Sequence, residues 1–334
     1  MTKRRRLALI YGGEGEEHEV SLAGAKSILP LIDTEKYSVL KIKIEQDGSL
    51  YRISDGGKKT PLSFIRRKNR GGALIGERFY PIAVAFPLLH GRLGEDGVVQ
   101  GMLRMLRIPF VGCDTASGSL CFDKHLTKLV AKSIGIPVAD HVLLLPDGDL
   151  DSTVEEAEQS IGYPLFVKPA RQGSSVGAAL AENRGALIAA VKTAMPYSEG
   201  GILIEEAVTD KRELEVAYLS AGGRVTVTPP GEILCRGTYG YGEKYSRPSP
   251  TRAVAEVSPD IAKKTEEYTL RLARALGVRA LGRFDFFCDG ERLLFNEVNT
   301  MPGFTDSSLY AAMLEKAGIS RRELVSLLLD CASC

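Results

Sequence analysis

The stretch FNEVNTMPGFT at residues 295–305 decides how this chain is read. It begins like the end of a buried strand, yet it carries Glu297 and Asn299 two residues apart before breaking at Pro302-Gly303. Side chains at i and i+2 of a strand point to one face. A carboxylate and a carboxamide together fill a core poorly. They suit a hard cation such as Mg2+, which takes oxygen ligands. On these residues alone a solvent-facing strand end competes evenly with a metal site, and the rest of the chain has to decide.

The run GRFDFFCDGERLLFNEVN, which ends in that stretch, reads as a hairpin of two apolar strands joined at a Cys-Asp-Gly turn. Arg283 and Asp285 share one face of its first strand, and Glu297 and Asn299 share one face of its second. A two-residue Asp289-Gly290 turn pairs Asp285 with Leu294 and sends Glu297 to the opposite face. A three-residue loop over 288–290, or a bulge, restores the alignment. An odd loop or a bulge is therefore expected. It gathers three oxygen ligands, Asp285, Glu297 and Asn299, and a fixed cation, Arg283, on one patch.

Working outward, strands alternate with helices. LALIYGG is a short apolar strand, followed by a helix from about Ser21; YSVLKIKIEQDGSLYRI is a strand entering a turn at Asp47-Gly48. Residues 54–78, rich in Gly, Lys and Arg, read as loops or an exposed insertion. IAVAFPLLHG is a buried strand, and Val98, Val99, Met102, Leu103 and Leu106 give a helical stripe. This alternation implies a parallel α/β sheet, whose ligands sit at the carboxyl ends of the strands. A second unit opens with the helix SLCFDKHLTKLVAKSIG and continues through LFVKPARQGSSVGAALAEN (strand, glycine-rich loop, strand) to the strand ILIEEAV. A third has a hairpin about Gly222-Gly223, a polar loop at 236–256, and a helix from about Pro259 to Leu276. The division is three domains: 1–122, 123–208 and 209–334.

Bulk properties bound the function. The chain has 334 residues, 44% hydrophobic and 25% charged, with a net charge of +1. That size calls for more than one core, and the balanced charge gives no reason to expect a nucleic-acid or anionic membrane partner. The basic opening TKRRR precedes an apolar run too short for a signal peptide, and no segment approaches the roughly 18 apolar residues of a membrane span. The six cysteines do not suggest a disulfide scaffold, and CASC at the C-terminus lacks the further ligands of a zinc site, so a reducing, cytoplasmic setting is expected.

RQGSSVG at 171–177 offers small residues and backbone N–H groups able to wrap phosphate oxygens. It is not a Walker loop, since no GK[ST] follows and a strand comes next. Lys168 at the end of LFVKP and Lys124 at a helix start can aim ammonium groups at the same phosphates. Each of these signals alone has a blander reading, a hairpin turn or a solvated lysine. Glu205, Glu206 and Glu213 can accept hydrogen bonds from a base and ribose, or be solvated edge carboxylates.

With these residues together, the chain resembles the ATP-grasp carboxylate–amine ligases and, among them, the D-alanine–D-alanine ligase family. The resemblance rests on EHEVS at 17–21, LLHGRLGEDGVVQG at 88–101, FDK at 122–124, VKPARQGSSVG at 167–177, GRFDFF at 282–287 and NEVNTMPGFT at 296–305. It implies an α/β chain with α+β elements in the ATP-grasp fold, its parallel-sheet domain N-terminal. Lys124, Lys168, Ser175 and Lys244 would contact ATP, with Glu205 and Glu213 on adenine and ribose and Glu206 to Val208 lining the adenine pocket. Asp285, Glu297 and Asn299 would bind two Mg2+, with Mn2+ able to substitute. Glu17 would hold the ammonium of the first D-alanine, and Ser174 would accept a hydrogen bond in a relay from Glu17 to Tyr245. Arg283 and the Gly303 N–H would form the oxyanion site, Ser308 and Leu309 would face the second amino acid, and His90 would lie close to the first. The 236–256 loop would close as a lid, and a homodimer would form through the first domain.

The resemblance also bears on the second substrate. Lys244 and Tyr245 disfavour D-lactate, and Leu309 suits a methyl group, hence D-alanine. Asp306 departs from the small neutral residue usual there and leaves D-serine as the alternative. A catalytically silent nucleotide-binding regulator is the alternative of another class, against which every polar position catalysis needs is filled by a competent side chain.

Overall fold

The computed structural model describes residues 4–234, 250–290 and 292–332. Strands Arg5–Gly12, Tyr37–Ile44 and Val84–Leu88 run parallel, with Arg5–Gly12 in the middle. Strands Leu50–Ile53 and Lys59–Pro61 add to one edge antiparallel. Leu7, Ala8, Leu9 and Ile10 have no exposure at all, as a central parallel strand covered on both faces requires. Helix His18–Ile28 starts three residues before the apolar pattern predicts. Its Ser21 Oγ accepts from the Gly12 N–H at 2.8 Å and donates to the Leu88 carbonyl at 2.5 Å, tying together the carboxyl ends of two parallel strands.

The 54–78 segment is not an exposed insertion. Strands Ser63–Arg67, Arg70–Ile75 and Arg78–Pro81 form a separate three-stranded antiparallel sheet. Its Ala73 and Ile75, with the preceding Leu62, share a core with Val99, Leu103, Leu106 and Ile108. Two of the glycines that suggested a loop, Gly71 and Gly72, are close-packing positions: a Cβ on Gly71 would lie 2.3 Å from the Leu106 carbonyl oxygen and 2.5 Å from Ile108, and one on Gly72 2.2 Å from the Tyr80 carbonyl oxygen.

SLCFDKHLTKLVAKSIG is two helices, Thr115–Phe122 and Lys124–Ser133, not one. Asp123 breaks them and caps the second, accepting from the Leu126 N–H at 3.0 Å. Aspartate competes with a helix interior and favours this position. Strands His141–Leu144, Leu165–Pro169, Ala179–Ala181 and Ile202–Glu206 make a four-stranded antiparallel sheet. A six-stranded sheet follows, with Arg212–Ala221 and Ala280–Asp289 at its centre and Arg292–Asn299 on its edge. Helix Pro259–Leu276, as the sequence predicts, packs on one face, and helices Leu309–Lys316 and Arg321–Asp330 pack on the other.

The hairpin that opened the reading has an even turn: Asp289 faces Arg292 and Phe286 faces Phe295. The register then shifts between Asp285 and Phe286, so that Asp285 faces Glu297 and Arg283 faces Asn299. Asn296 is the extra residue. The alignment therefore comes from a bulge, not from an odd loop.

Gly71→Ala is expected to destabilise the fold by about 1–3 kcal/mol, because the backbone carbonyl it meets cannot swing away. Chemical denaturation checks this, and an unchanged midpoint would mean that the small sheet is not seated there.

Candidate active site

A cleft opens where the carboxyl ends of the parallel strands meet the end of strand Arg292–Asn299, lined among others by Glu17, His90, Ser174, Arg283, Asn299 and Gly303. Glu17 precedes helix His18–Ile28. Its Oε1 accepts from Ser174 Oγ at 2.5 Å, so Ser174 donates here. Its carboxylate fits between backbones: a Cβ on Gly91 (φ +65°) would lie 2.5 Å, and one on Gly173 3.0 Å, from Glu17 Oε2. Ser174 and Ser175 are both left-handed, with φ of 52° and 58°, a strained turn of the kind kept at ligand-binding loops.

Across the cleft, Asp285 accepts from Arg283 Nε and Nη2 at 2.8 and 2.7 Å and from Asn299 Nδ2 at 3.0 Å. Arg283 also lies 3.3 Å from Glu215. Burial alone would lower the Arg283 pKa; Asp285 and Glu215 outweigh it and push the pKa well above the usual value, so the guanidinium stays charged. Glu297 lies 3.4 Å from Lys124 Nζ, which also donates to the Gln172 carbonyl of the glycine-rich loop at 2.5 Å. Gly303 and Ser308 touch: a Cβ on the glycine would meet Ser308 Oγ at 2.6 Å.

Among the described residues no three His, Cys, Asp or Glu side chains gather as a metal cluster. The bulge-aligned set is two carboxylates and one carboxamide. That set fits Mg2+, which binds through one or two carboxylates and completes its octahedron with water and phosphate oxygens. Asn299 donates through Nδ2, so Oδ1 is the atom that would ligate a cation.

Sequence comparison fits this geometry. Residues 6–113 match the family model for the D-ala D-ala ligase N-terminus, and residues 130–330 that for the D-ala D-ala ligase C-terminus. The chain is 39% identical to D-alanine–D-alanine ligase A of Mesorhizobium japonicum, covering 99% of this chain and 98% of that protein. The chain belongs to the D-alanine–D-alanine ligase family. Solved structures agree. The D-alanine–D-alanine ligase from Coxiella burnetii superposes with a TM-score of 0.87 at 29% identity, covering 98% of this chain and 94% of that one. The VanG D-Ala:D-Ser ligase from Enterococcus faecalis gives 0.89 at 31%, covering 98% of each. The fold is thus the ATP-grasp fold of these ligases.

Other described residues singled out in the sequence lie outside the lining of this cleft. Lys168 Nζ lies 2.6 Å from Glu205 and donates to Asn296 Oδ1 at 3.1 Å. Glu206 is paired with Arg292 at 2.8 Å, and Val208 is buried with Ala139 and Leu294. Glu213 lies 3.6 Å from Lys211, whose ammonium sits 3.7 Å above the Phe287 ring. Leu309 does not join the cleft lining; it is buried in the core with Phe304, Tyr310 and Met313. Its position at the start of helix Leu309–Lys316 turns its side chain inward, against Gly231. Lys244 and Tyr245, and most of the 236–256 loop, lie outside the described residues.

Four residues escaped the sequence reading. Lys128 is fully buried and lies 3.1 Å from Glu205, making that carboxylate a bridge between two lysines. Burial alone would raise the Glu205 pKa, but Lys128 and Lys168 together hold it down from the ordinary 4.5 to about 2. Asn296 is the bulge residue, Glu215 braces Arg283, and Glu95 is buried beside the cleft. Lys128 carried a signal, a charge on the apolar stripe of its helix; the others lie on strands or loops where one polar residue reads as solvated.

Because the Glu205 pKa is lowered on folding, its stabilisation is present above pH 4.5 and is lost as pH falls toward 2. Lys128→Met removes one of the two ammonium groups, so it should cost about 3 kcal/mol at neutral pH and start acid unfolding at a higher pH. Circular dichroism followed down a pH series checks both, and an unshifted acid transition would count against the bridge.

Proposed function

We propose that this protein joins two D-alanines into D-alanyl-D-alanine at the expense of ATP, through a D-alanyl phosphate, to supply peptidoglycan precursor synthesis. The reading is carried by the bulge at Asn296, which sets Asp285, Glu297 and Asn299 on one face opposite Glu17 and Ser174. Family membership makes ATP and D-alanine the substrates, with Mg2+ required.

A carboxylate is a poor acylating agent, so one oxygen of the first D-alanine attacks the γ-phosphorus of ATP and ADP departs. Asp285, Glu297 and Asn299 would hold Mg2+, which when bound would neutralise charge building on the transferring phosphoryl group. We assign two ions to this set, with Mn2+ able to replace them. Lys124 and Lys168 face the phosphates together with the backbone of the Ser174-Ser175 turn, and Glu213 and Val208 belong to the nucleoside end. Glu17, polarised by Ser174, holds the first ammonium. The amine of the second D-alanine then attacks the acyl carbon, its spare proton leaves, and the tetrahedral oxyanion is met by Arg283 and the Gly303 N–H before phosphate is expelled. The acyl phosphate must be kept from water, the role assigned to the 236–256 lid through Tyr245, with Lys244 on ATP. His90, Ser308 and Leu309 shape the amino-acid sites, Leu309 as buried backing. The same reading takes domains at 1–122, 123–208 and 209–334, a cytoplasmic setting and a homodimer through the first domain.

D-Serine at the second site is the reading that Asp306 raised. That carboxylate is held by Arg321 at 2.8 Å, on an exposed corner, so it adds no free charge to the cleft. One hydroxyl in an apolar pocket shifts binding by about 1–3 kcal/mol, so the choice is a preference and not a block.

Phosphate release with ATP and Mg2+, offering D-alanine alone or with D-serine or D-lactate and identifying products by mass, should give D-alanyl-D-alanine as the main product. A dominant D-alanyl-D-serine would overturn the second-substrate assignment, and phosphate release indifferent to D-alanine would overturn the ligase. Glu297→Ala and Asn299→Ala should each lower turnover by on the order of a hundredfold or more with the fold kept. Near-normal turnover at saturating Mg2+ would remove them from the metal site.

A further inference from the structure

Glu95 does something that neither the mechanism above nor the family match assigns. Its side chain is buried at the base of the cleft, with the residue only 9% exposed. One carboxylate oxygen, Oε2, accepts from the Gly91 N–H at 2.9 Å; the other, Oε1, accepts from the Met301 N–H at 2.9 Å. The Met301 carbonyl, in turn, accepts from His90 Nδ1 at 2.9 Å. A carbonyl accepts only, so His90 carries its proton on Nδ1. Both polar backbone groups of Met301 are thus held by the loop that follows strand Val84–Leu88, more than 200 residues away in sequence.

Met301 sits two residues past the end of strand Arg292–Asn299 and two before Gly303. The chain has left the sheet at that point, so ladder hydrogen bonds no longer fix it. Its side chain is packed in the core shared by the first sheet and the last two helices. The loop carrying Glu95 is itself pinned, because Gln100 Nε2 donates to the Gly94 carbonyl at 2.7 Å.

Resting on the ligase reading, we infer that Glu95 is a positioning residue: acting through Met301, it sets where the Gly303 N–H meets the tetrahedral oxyanion. The geometry requires a carboxylate. Two N–H groups converge from different loops on its two oxygens, and a glutamine offers only one acceptor, turning an NH2 toward the other donor. Holding a site within a fraction of an ångström is what a pre-organised oxyanion site needs.

This role predicts which half of the reaction suffers. Phosphoryl transfer depends on the metal set and the lysines, whereas attack by the second amine depends on the oxyanion site. In Glu95→Gln the dipeptide rate should fall on the order of tenfold to a hundredfold, while D-alanine-dependent phosphate release falls less. More than one phosphate should then appear per dipeptide, as stranded acyl phosphate meets water. Glu95→Asp, which keeps two acceptors on a shorter stem, should lie between. One phosphate per dipeptide in both variants, whether the rates are unchanged or fall together, would overturn the assignment. Wild-type enzyme run alongside separates the two ideas, since a wild type that makes no dipeptide indicts the ligase reading. Should neither variant fold, amide exchange of the wild type decides the clamp: the Met301 N–H should be strongly protected without substrates, and exchange at the rate of an open loop would overturn it.

Discussion

One extra residue governs the chemistry of this fold. The last two strands of the C-terminal sheet are joined by a turn of even length, which by itself would place Arg283 and Asp285 on one face and Glu297 and Asn299 on the other. Asn296 takes up one position without a partner, and from there on the second strand is turned over. Before the bulge, Leu294 and Phe295 are both buried; after it, Val298 points to the core while Glu297 and Asn299 face the cleft. The bulge is not left bare, because Asn296 accepts from Lys168, a strand away in the neighbouring four-stranded sheet. The feature that aligns the proposed metal ligands is thus also the one gripped by Lys168, which the proposed mechanism turns toward the phosphates.

That grip sits within a larger economy of charge. Lys168, Glu205 and Lys128 form a buried line of cation, anion and cation across the seam between the four-stranded sheet and helix Lys124–Ser133. Two lysines about one carboxylate leave a net positive charge in a low-dielectric place, which is costly for an isolated protein. Such a charge is well suited to a polyanionic ligand. The same holds for Lys124, which lies against Glu297 and the glycine-rich loop. In the proposed mechanism, stability and nucleotide affinity therefore rest on the same side chains.

Much of this was legible in the sequence, and the reasons for the gaps are local. The spacing of Glu297 and Asn299 survives any register, because alternation along one strand needs no partner. Whether that face meets Asp285 depends on turn and bulge geometry, and the sequence could state only that one of two irregularities was needed. The 54–78 segment misled because its glycines read as flexibility, whereas Gly71 is small so that a sheet can lie against the Leu106 carbonyl. The break at Asp123 was hidden by helix formers on both sides. Leu309 differs in another way: an apolar residue beside a binding motif suggested a direct pocket wall, but the first turn of its helix rotates it into the core, behind the cleft lining. Glu95 could not be read at all, since its partners are backbone groups brought together only by the fold.

The distribution of these successes has a physical logic. Residues that touch ligand must be polar in places where polar residues are expensive, so they stand out against an apolar background. Residues that hold the backbone in place do so through N–H and C=O groups that every residue owns, and these leave no mark in sequence. Met301 is apolar and buried, an ordinary core residue by any reading of side chains. Yet its peptide groups carry the two hydrogen bonds that join the first sheet to the segment entering Gly303. In a ligase that must align an acyl phosphate with an incoming amine, the accuracy of the site rests on such peptide contacts as much as on the side chains that identify it.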